Sequence, residues 1–122
     1  MSWPDAEAVM AELLDPIAPT DTVMTPATKV PFIQVNRVGG TDDGITDRPV
    51  VQVAVFAATR AHAWALAEQV RHAVLGAAGA LIGGVLVDDA RTAIGHQQIP
   101  EIDPDDRRVI STYQLSFREL AN

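Results

Sequence analysis

The sequence predicts an α+β fold: a mostly antiparallel four-stranded sheet with two helices packed on one face, in the order α-β-β-α-β-β. Two segments repeat apolar residues at helical spacing, and four segments are rich in apolar or alternating residues typical of strands. The strands come as two pairs separated by the longer helix, which is typical of helices packed on an antiparallel sheet. With 122 residues, 48% of them hydrophobic, the chain is predicted to be a single domain, 1–122.

The first helix is predicted to open at residues 3–5 and to end at Pro16. Ser2 is a candidate cap, and Pro4 suits a first-turn position because its missing N–H would have no partner there. Residues 16–31 contain four prolines, which excludes a helix and predicts an extended Pro-rich linker inside the domain. Residues 21–24 could form a short edge strand. The apolar residues at helical spacing in the first helix, which form its inward face, are Val9, Met10, Leu13 and Leu14.

The remaining elements follow from periodicity. Residues 31–38 and 49–57 are predicted strands, and residues 60–78 form the main helix, with Trp64 and Leu75 off its apolar stripe. Residues 84–94 form a third strand that Asp88 and Asp89 interrupt, and residues 107–118 form the fourth. Polar, acidic loops are predicted at 39–48 and 95–106, each much longer than a tight hairpin turn needs.

Composition excludes several classes of function. The chain has no cysteine, so disulfides and thiol chemistry are excluded. A net charge of −7 argues against a surface that grips nucleic acid, because such surfaces cluster Lys and Arg. Neither a signal peptide nor a membrane span is expected, which predicts a soluble protein made in a cell.

For the histidines and acids that could bind a metal or act in catalysis, the sequence favours ordinary structural roles. His62 and His72 are ten residues apart, and Glu68 lies four before His72, so an ion pair is favoured over a metal site. His96 lies in the second polar loop, where a surface position is favoured. The acids near Asp42 lack the spacing and closing Glu of a calcium loop. No catalytic, cofactor or metal site is predicted, and the protein is not expected to be an enzyme.

Geometry points instead to self-assembly. Both predicted hairpins carry long acidic loops, and the main helix is apolar beyond one stripe, so a second cover is needed. The first helix or another subunit could supply that cover. Such features suit a protein that contacts copies of itself and its neighbours; a monomer with ordinary loops is the alternative.

The residues PFIQVNRVGGTDDGITDRPVVQVAVFAATRAHAWALAEQVRHAVL carry a resemblance to tail terminator proteins of long-tailed (siphovirus-type) bacteriophages, particularly those of actinobacterial hosts. In that family a strand ending in Arg-x-Gly-Gly precedes an acidic loop, a valine-rich strand opening Asp-x-Pro, and a helix with Ala-x-x-Leu-Ala spacing. The matching residues here are Arg37, Gly39, Gly40, Asp47, Pro49, Ala63, Leu66 and Ala67.

The resemblance implies a structural virion protein at the tail–neck junction, made in the host cytoplasm. Such proteins form a ring, usually hexameric, that caps the tail tube, stops its polymerisation and joins the tail to the neck. The implied partners are further copies of the chain, the tail tube protein and a neck or head-completion protein. DNA would pass through the bore without sequence-specific binding, and no membrane or cofactor is implied.

Residues that could contact neighbouring subunits, the tube or the neck are mostly charged and lie in or near the polar loops. They are Arg37, Asp42, Asp43, Asp47, Arg48, Trp64, Asp88, Asp89, Asp105 and Asp106. The acids at 42, 43 and 47 could pair with basic groups of the tube or neck, or line the bore. Two alternatives stay open: a neck head-closure (stopper) or head–tail connector ring, and a small α+β ligand-binding module or enzyme.

Overall fold

The sheet has five strands, and two helices cover one of its faces. A computed structural model describes residues 3–25, 27–98 and 108–118. The strand order is β1-β2-β3-β7-β6, and a separate two-stranded hairpin pairs β4 with β5. The helices are α1 (Ala6–Leu14) and α2 (Arg60–Leu75). The strands are β1 (Thr20–Asp21), β2 (Phe32–Asp42), β3 (Thr46–Phe56), β4 (Leu81–Ile82), β5 (Val85–Leu86), β6 (Asp89–Gln97) and β7 (Arg108–Arg118).

The α+β class and the two helices on one face agree with the sequence prediction, but the predicted four-stranded sheet is wrong. The sheet is mixed, because β1 adds a fifth strand parallel to β2, with Thr20 beside Ile33 and Asp21 beside Gln34. The remaining pairs, β2 with β3, β3 with β7 and β7 with β6, are all antiparallel. Two residues are too few for alternation to reveal a strand, so β1 was expected only as a possible edge segment.

Local side-chain caps fix where the helices begin. Asp5 is the N-cap of α1: its Oδ1 accepts from the backbone N–H groups of Glu7 (3.0 Å) and Ala8 (3.3 Å). Ser2, the predicted cap, lies outside the described residues. Thr59 caps α2 by accepting from the N–H of His62 at 3.1 Å. The helix ends at Leu75 rather than at 78, with Gly76 as its C-cap.

The hydrophobic core lies between the helices and the odd-numbered positions of the central strands. Successive strand side chains point to opposite faces, so one parity faces the helices throughout β3 and β7. Tyr113 and Phe117 are the largest fully buried side chains of this core. The strand residues of the core include Ile33, Val35, Val51, Val53, Val55, Val109, Leu115 and Phe117, and the helices contribute Val9, Met10, Leu14, Ala63, Leu66, Val70 and Val74.

The opposite face of the sheet is mixed in polarity. Gln34, Asn36, Gln52 and Gln114 are half-buried there, between better-buried neighbours such as Ala54. The side-chain amides of Gln34 and Asn36 both donate to the carbonyl oxygen of Thr22, at 3.1 and 3.2 Å. These bonds fasten the segment after β1 to the sheet.

Neither polar loop extends as far as the sequence predicted. Most of the 39–48 loop is strand: β2 continues to Asp42 and β3 begins at Thr46, so only residues 43–45 form the turn. The predicted third strand divides into β5 and β6, with the break at Val87 and Asp88, and Asp89 is the first residue of β6. In the second loop, residues 95–97 belong to β6, and residues 99–107 lie outside the described residues.

Candidate assembly surfaces

Residues 39–48, the paired ends of β2 and β3 with their turn, form what we call the arm. Carboxylates of the arm order its turn: Oδ1 of Asp43 accepts from the N–H groups of Ile45 (2.9 Å) and Thr46 (2.7 Å). Asp42 accepts from the N–H of Gly44 at 3.1 Å. The bonds from the backbone of Thr46, and then of Ile45, lower the pKa of the Asp43 carboxyl. The arm is therefore a defined hairpin rather than a slack loop.

A half-buried ion pair between Arg37, just before the arm, and Asp47, beside its turn, braces the arm. The guanidinium of Arg37 donates to both carboxylate oxygens of Asp47, at 3.0 and 3.1 Å, and its Nε donates to the carbonyl of Gly39 at 3.2 Å. Only 2% of the Asp47 side chain is exposed, against 41% for Arg37. The backbone N–H of Arg37 donates to Oε2 of Glu7 at 3.0 Å, which links α1 to this pair. Bidentate geometry fixes orientation as well as distance.

Gly40 permits the close approach of the two strands in the arm. Its φ is +129°, and a Cβ at this position would lie 2.5 Å from the carbonyl oxygen of Arg48 and 2.7 Å from Cα of Pro49. Only glycine fits such a position without moving the backbone. Gly39 is different, since a Cβ there would meet nothing within 4 Å.

The tip of the arm combines acids with one exposed apolar side chain, Ile45, which is 71% exposed at the turn. At the other end, just before the arm, Val38 is 55% exposed. Arg48 forms a long contact with Asp43, 3.4 Å between Nη2 and Oδ2, with both side chains largely exposed. Such a pair stabilises little in water. The tip thus offers an isoleucine beside the carboxylates of Asp42 and Asp43.

The Trp64 side chain lies in a contact between α2 and β6. It is half-buried, its ring is 5.6 Å from that of His96 in an edge-on arrangement, and Arg60 lies 5.8 Å from its centroid. His96 Nε2 and Glu68 Oε1 are 3.0 Å apart. Glu68 also approaches His72 at 3.7 Å, the predicted i, i+4 pair. His96 therefore belongs to β6 and packs on the helix, rather than standing in a loop.

The remaining predicted contact residues have partners within the chain or lie outside the described part. Asp88 accepts from Nε of Arg118 at 3.1 Å, and Asp89 pairs with Arg91. Asp105 and Asp106 fall in residues 99–107 and lie outside the described residues. The structure brings Arg37, Asp42, Asp43, Asp47 and Arg48 together in and beside the arm. It places Trp64 and the acids at 88 and 89 elsewhere.

Exposed apolar residues are what sequence reasoning missed. Besides Ile45 and Val38, Leu81 is 70% exposed on the β4–β5 hairpin and Ile94 is 49% exposed on β6. Val38 and Ile94 lie in predicted strands, and a strand pattern predicts alternation but cannot say which edges lack neighbours. Leu81 lies outside every predicted strand, and Ile45 lies in a predicted loop. An isoleucine within an otherwise polar turn was the available signal for Ile45.

One groove in the described part of the chain is poorly suited to a small molecule. It has a volume of about 210 Å³ and lies between α1 and the β4–β5 hairpin, lined by Ala8, Val9, Glu12, Ile82, Gly83 and Val85. That volume is below the usual range of ligand pockets, and one carboxylate is its only charged group. Within residues 3–25, 27–98 and 108–118, no three potential ligand side chains are grouped to hold a metal ion. No helix in this part of the chain is long and apolar enough to cross a membrane.

Comparison with known proteins decides the family. The family model described as phage tail termination protein matches residues 2–122. The chain belongs to the phage tail termination protein family. A search of curated proteins found no significant match. As a tail termination protein, the chain is a structural phage protein of the virion, which argues against an enzyme.

In this tail termination protein the arm combines an exposed Ile45 with the ion pair of Arg37 and Asp47.

Proposed function

We propose that this protein forms a hexameric ring that caps the tail tube, stops the addition of tube subunits and joins the tail to the neck at the tail–neck junction. The single observation that carries the proposal is the family match across residues 2–122. DNA would pass through the bore without sequence-specific binding, which suits a chain of net charge −7. We further propose a siphovirus-type phage of an actinobacterial host, on the resemblance of residues 31–75. The use of a single lysine, Lys29, in an alanine-rich chain is typical of a GC-rich genome and fits such a host.

We propose the arm as the contact with the tail tube or with the neck protein. The exposed Ile45 supplies apolar area, while Asp42 and Asp43 supply charge for basic partner groups. The bidentate pair of Arg37 with Asp47 supports this role by bracing the arm before it binds, which reduces the entropy lost on contact. The buried Asp47 acts inside the arm, so we leave it out of the contact surface.

Polymerising tail tubes test the proposed function. Purified tube protein of the same phage is polymerised with and without this chain, and tube lengths are measured in negative-stain images. We expect growth to stop at ends that carry a ring, and light scattering to give the mass of a closed oligomer. Unchanged tube growth with no ring at tube ends would contradict the proposal. Binding to tailless heads but not to tubes would favour the head-closure alternative.

A further inference from the structure

We propose that neighbouring copies join by strand pairing, with the outer edge of β6 in one copy lying against the uncovered part of β2 in the next. This inference rests on the proposed ring and names its subunit interface. The partner is a second copy of the chain in a head-to-tail arrangement. Heterologous contacts of this kind produce a ring when the rotation between copies closes.

The sheet leaves two edges available within the described residues. On one side, β1 pairs only with Ile33 and Gln34, so β2 continues to Asp42 with no strand beside it there. Glu7 takes the N–H of Arg37 at this edge. On the other side, β6 is the terminal strand of the sheet, and its residues 91–95 are exposed. Unpaired backbone groups on such edges readily pair with another chain.

The direction of the strands permits this joint. β2, β3, β7 and β6 alternate in direction, because every pair among them is antiparallel. Four alternating strands leave β2 and β6 running in opposite directions. A second copy rotated about an axis along the strands would therefore bring its β6 antiparallel to the first copy's β2. The same joint then repeats around the ring without reversing any strand.

Charge also favours these two edges. The chain contains 16 acidic residues, so copies with a net charge of −7 repel each other over most of their surfaces. Residues 36–41 of β2 and 92–97 of β6 contain no acid, and the Glu7 carboxylate that reaches the β2 edge already accepts from the N–H of Arg37. Their one arginine, Arg37, is already paired with Asp47. Each segment instead exposes a large apolar side chain, Val38 at 55% and Ile94 at 49%.

Both edges also carry bulges. The register shifts between Arg37 and Gly39 in β2, and at two places between Thr92 and Gln97 in β6. Bulges bend a strand and increase its twist, and they are frequent at the rims of barrels. A sheet that continues from copy to copy around a ring needs such bending. Bulges can instead guard an edge against pairing, and the cross-linking experiment decides between the two roles.

Disulfide cross-linking tests the interface directly, because the chain has no cysteine of its own. Val38→Cys is combined in turn with Thr92→Cys, Ile94→Cys and Gln97→Cys, which samples the possible registers. We expect one combination to give a ladder of covalent multimers, ending at the closed ring, when assembled rings are oxidised. The matched control, Val38→Cys with Leu81→Cys, places the second thiol off both edges and should give no ladder.

A charge substitution gives an independent measurement. Ile94→Lys places a cation on the β6 edge, and we expect it to weaken association by about tenfold or more, with an unchanged circular dichroism spectrum. Leu81→Lys is the control and should assemble normally. Rings that form with no ladder from any cysteine combination, or that tolerate Ile94→Lys, would overturn this interface and leave the proposed function standing. A wild-type chain that stays monomeric even with tube ends would overturn both.

Discussion

Single residues set the shape of the arm, and Gly40 makes the sharpest prediction. Gly40→Ala should destabilise the fold by about 2 kcal/mol, because the new Cβ meets the backbone of Arg48 and Pro49 at a positive φ. The control Gly39→Ala should stay within about 0.5 kcal/mol of wild type, since the space beside it is open. Urea denaturation measures both, and equal effects would contradict this account.

The Arg37–Asp47 pair is the second residue-scale prediction. Asp47→Asn keeps the shape of the side chain but removes the charge that accepts two guanidinium bonds, and it should cost about 2 kcal/mol of folding free energy. Asp42→Asn, on the facing strand, retains an acceptor for the N–H of Gly44 and should change stability little. Thermal or urea unfolding compares them, and an Asp47→Asn variant as stable as wild type would show that the pair contributes nothing.

Tyr113 predicts how stability changes at alkaline pH. Burial raises the pKa of its hydroxyl above the ordinary value of 10.0, against a smaller opposing effect of the hydrogen bond from Ser111 Oγ at 3.1 Å. The neutral phenol is therefore favoured in the folded chain. The neutral Tyr113 hydroxyl therefore stabilises the folded state fully below pH 10.0, the ordinary pKa. This stabilisation is lost as the pH rises through the raised pKa of the folded chain.

The measurement is the urea midpoint as a function of pH, together with the tyrosinate absorbance of the only tyrosine in the chain. The midpoint of the wild type should fall above pH 10.0, with tyrosinate appearing as the protein unfolds. Tyr113→Phe removes the titrating group and should flatten the curve. A decline of equal slope in both proteins would assign the effect to other groups.

At the scale of elements, periodicity predicted what is long and buried. The apolar stripe of α2 and the alternation of β3 and β7 were visible because many residues repeat the same environment. The ends were not visible, since β2 and β3 extend through glycines and acids held by backbone pairing and by side-chain bonds to the turn. The two-residue β1 depends on its neighbour in the sheet, which no local pattern encodes.

The contact role of the arm stays a prediction, and its internal ion pair was not predicted from the sequence. Val51 and Val53 face the helices, and the same alternation along β3 places Asp47 on that face. In β2, Arg37 is an odd-numbered residue like the core residues Ile33 and Val35, so it is placed on the same face. That signal could have revealed the pair. Composition alone predicts that Asp47 is exposed, because aspartate is rarely buried without a partner. Its partner, Arg37, lies on another strand, where no local pattern reveals it.

At the scale of the whole molecule, the arm predicts a separation between folding and function. Ile45→Ser should leave stability within about 0.5 kcal/mol of wild type, because 71% of the side chain is already exposed. If the arm contacts the tube or neck, the same variant should cap tubes poorly or fail to join tails to heads. Tube length and infectious particle yield measure these outcomes.

Leu81→Ser is the matched control, since Leu81 is 70% exposed but lies on the β4–β5 hairpin away from the arm. It should cap tubes as well as the wild type does. Equal loss in both variants would point to a general effect of surface hydrophobicity. Full capping by Ile45→Ser would remove the isoleucine from the contact surface.

The order of strands has a consequence for synthesis. β7 is the last strand that the structure describes, yet it lies in the middle of the sheet, between β3 and β6. Until the ribosome has released β7, β3 has a partner on one side only and β6 has none among the described strands. A chain interrupted before Arg108 therefore cannot complete the sheet. Partial translation products should be degraded rather than enter the virion as defective subunits.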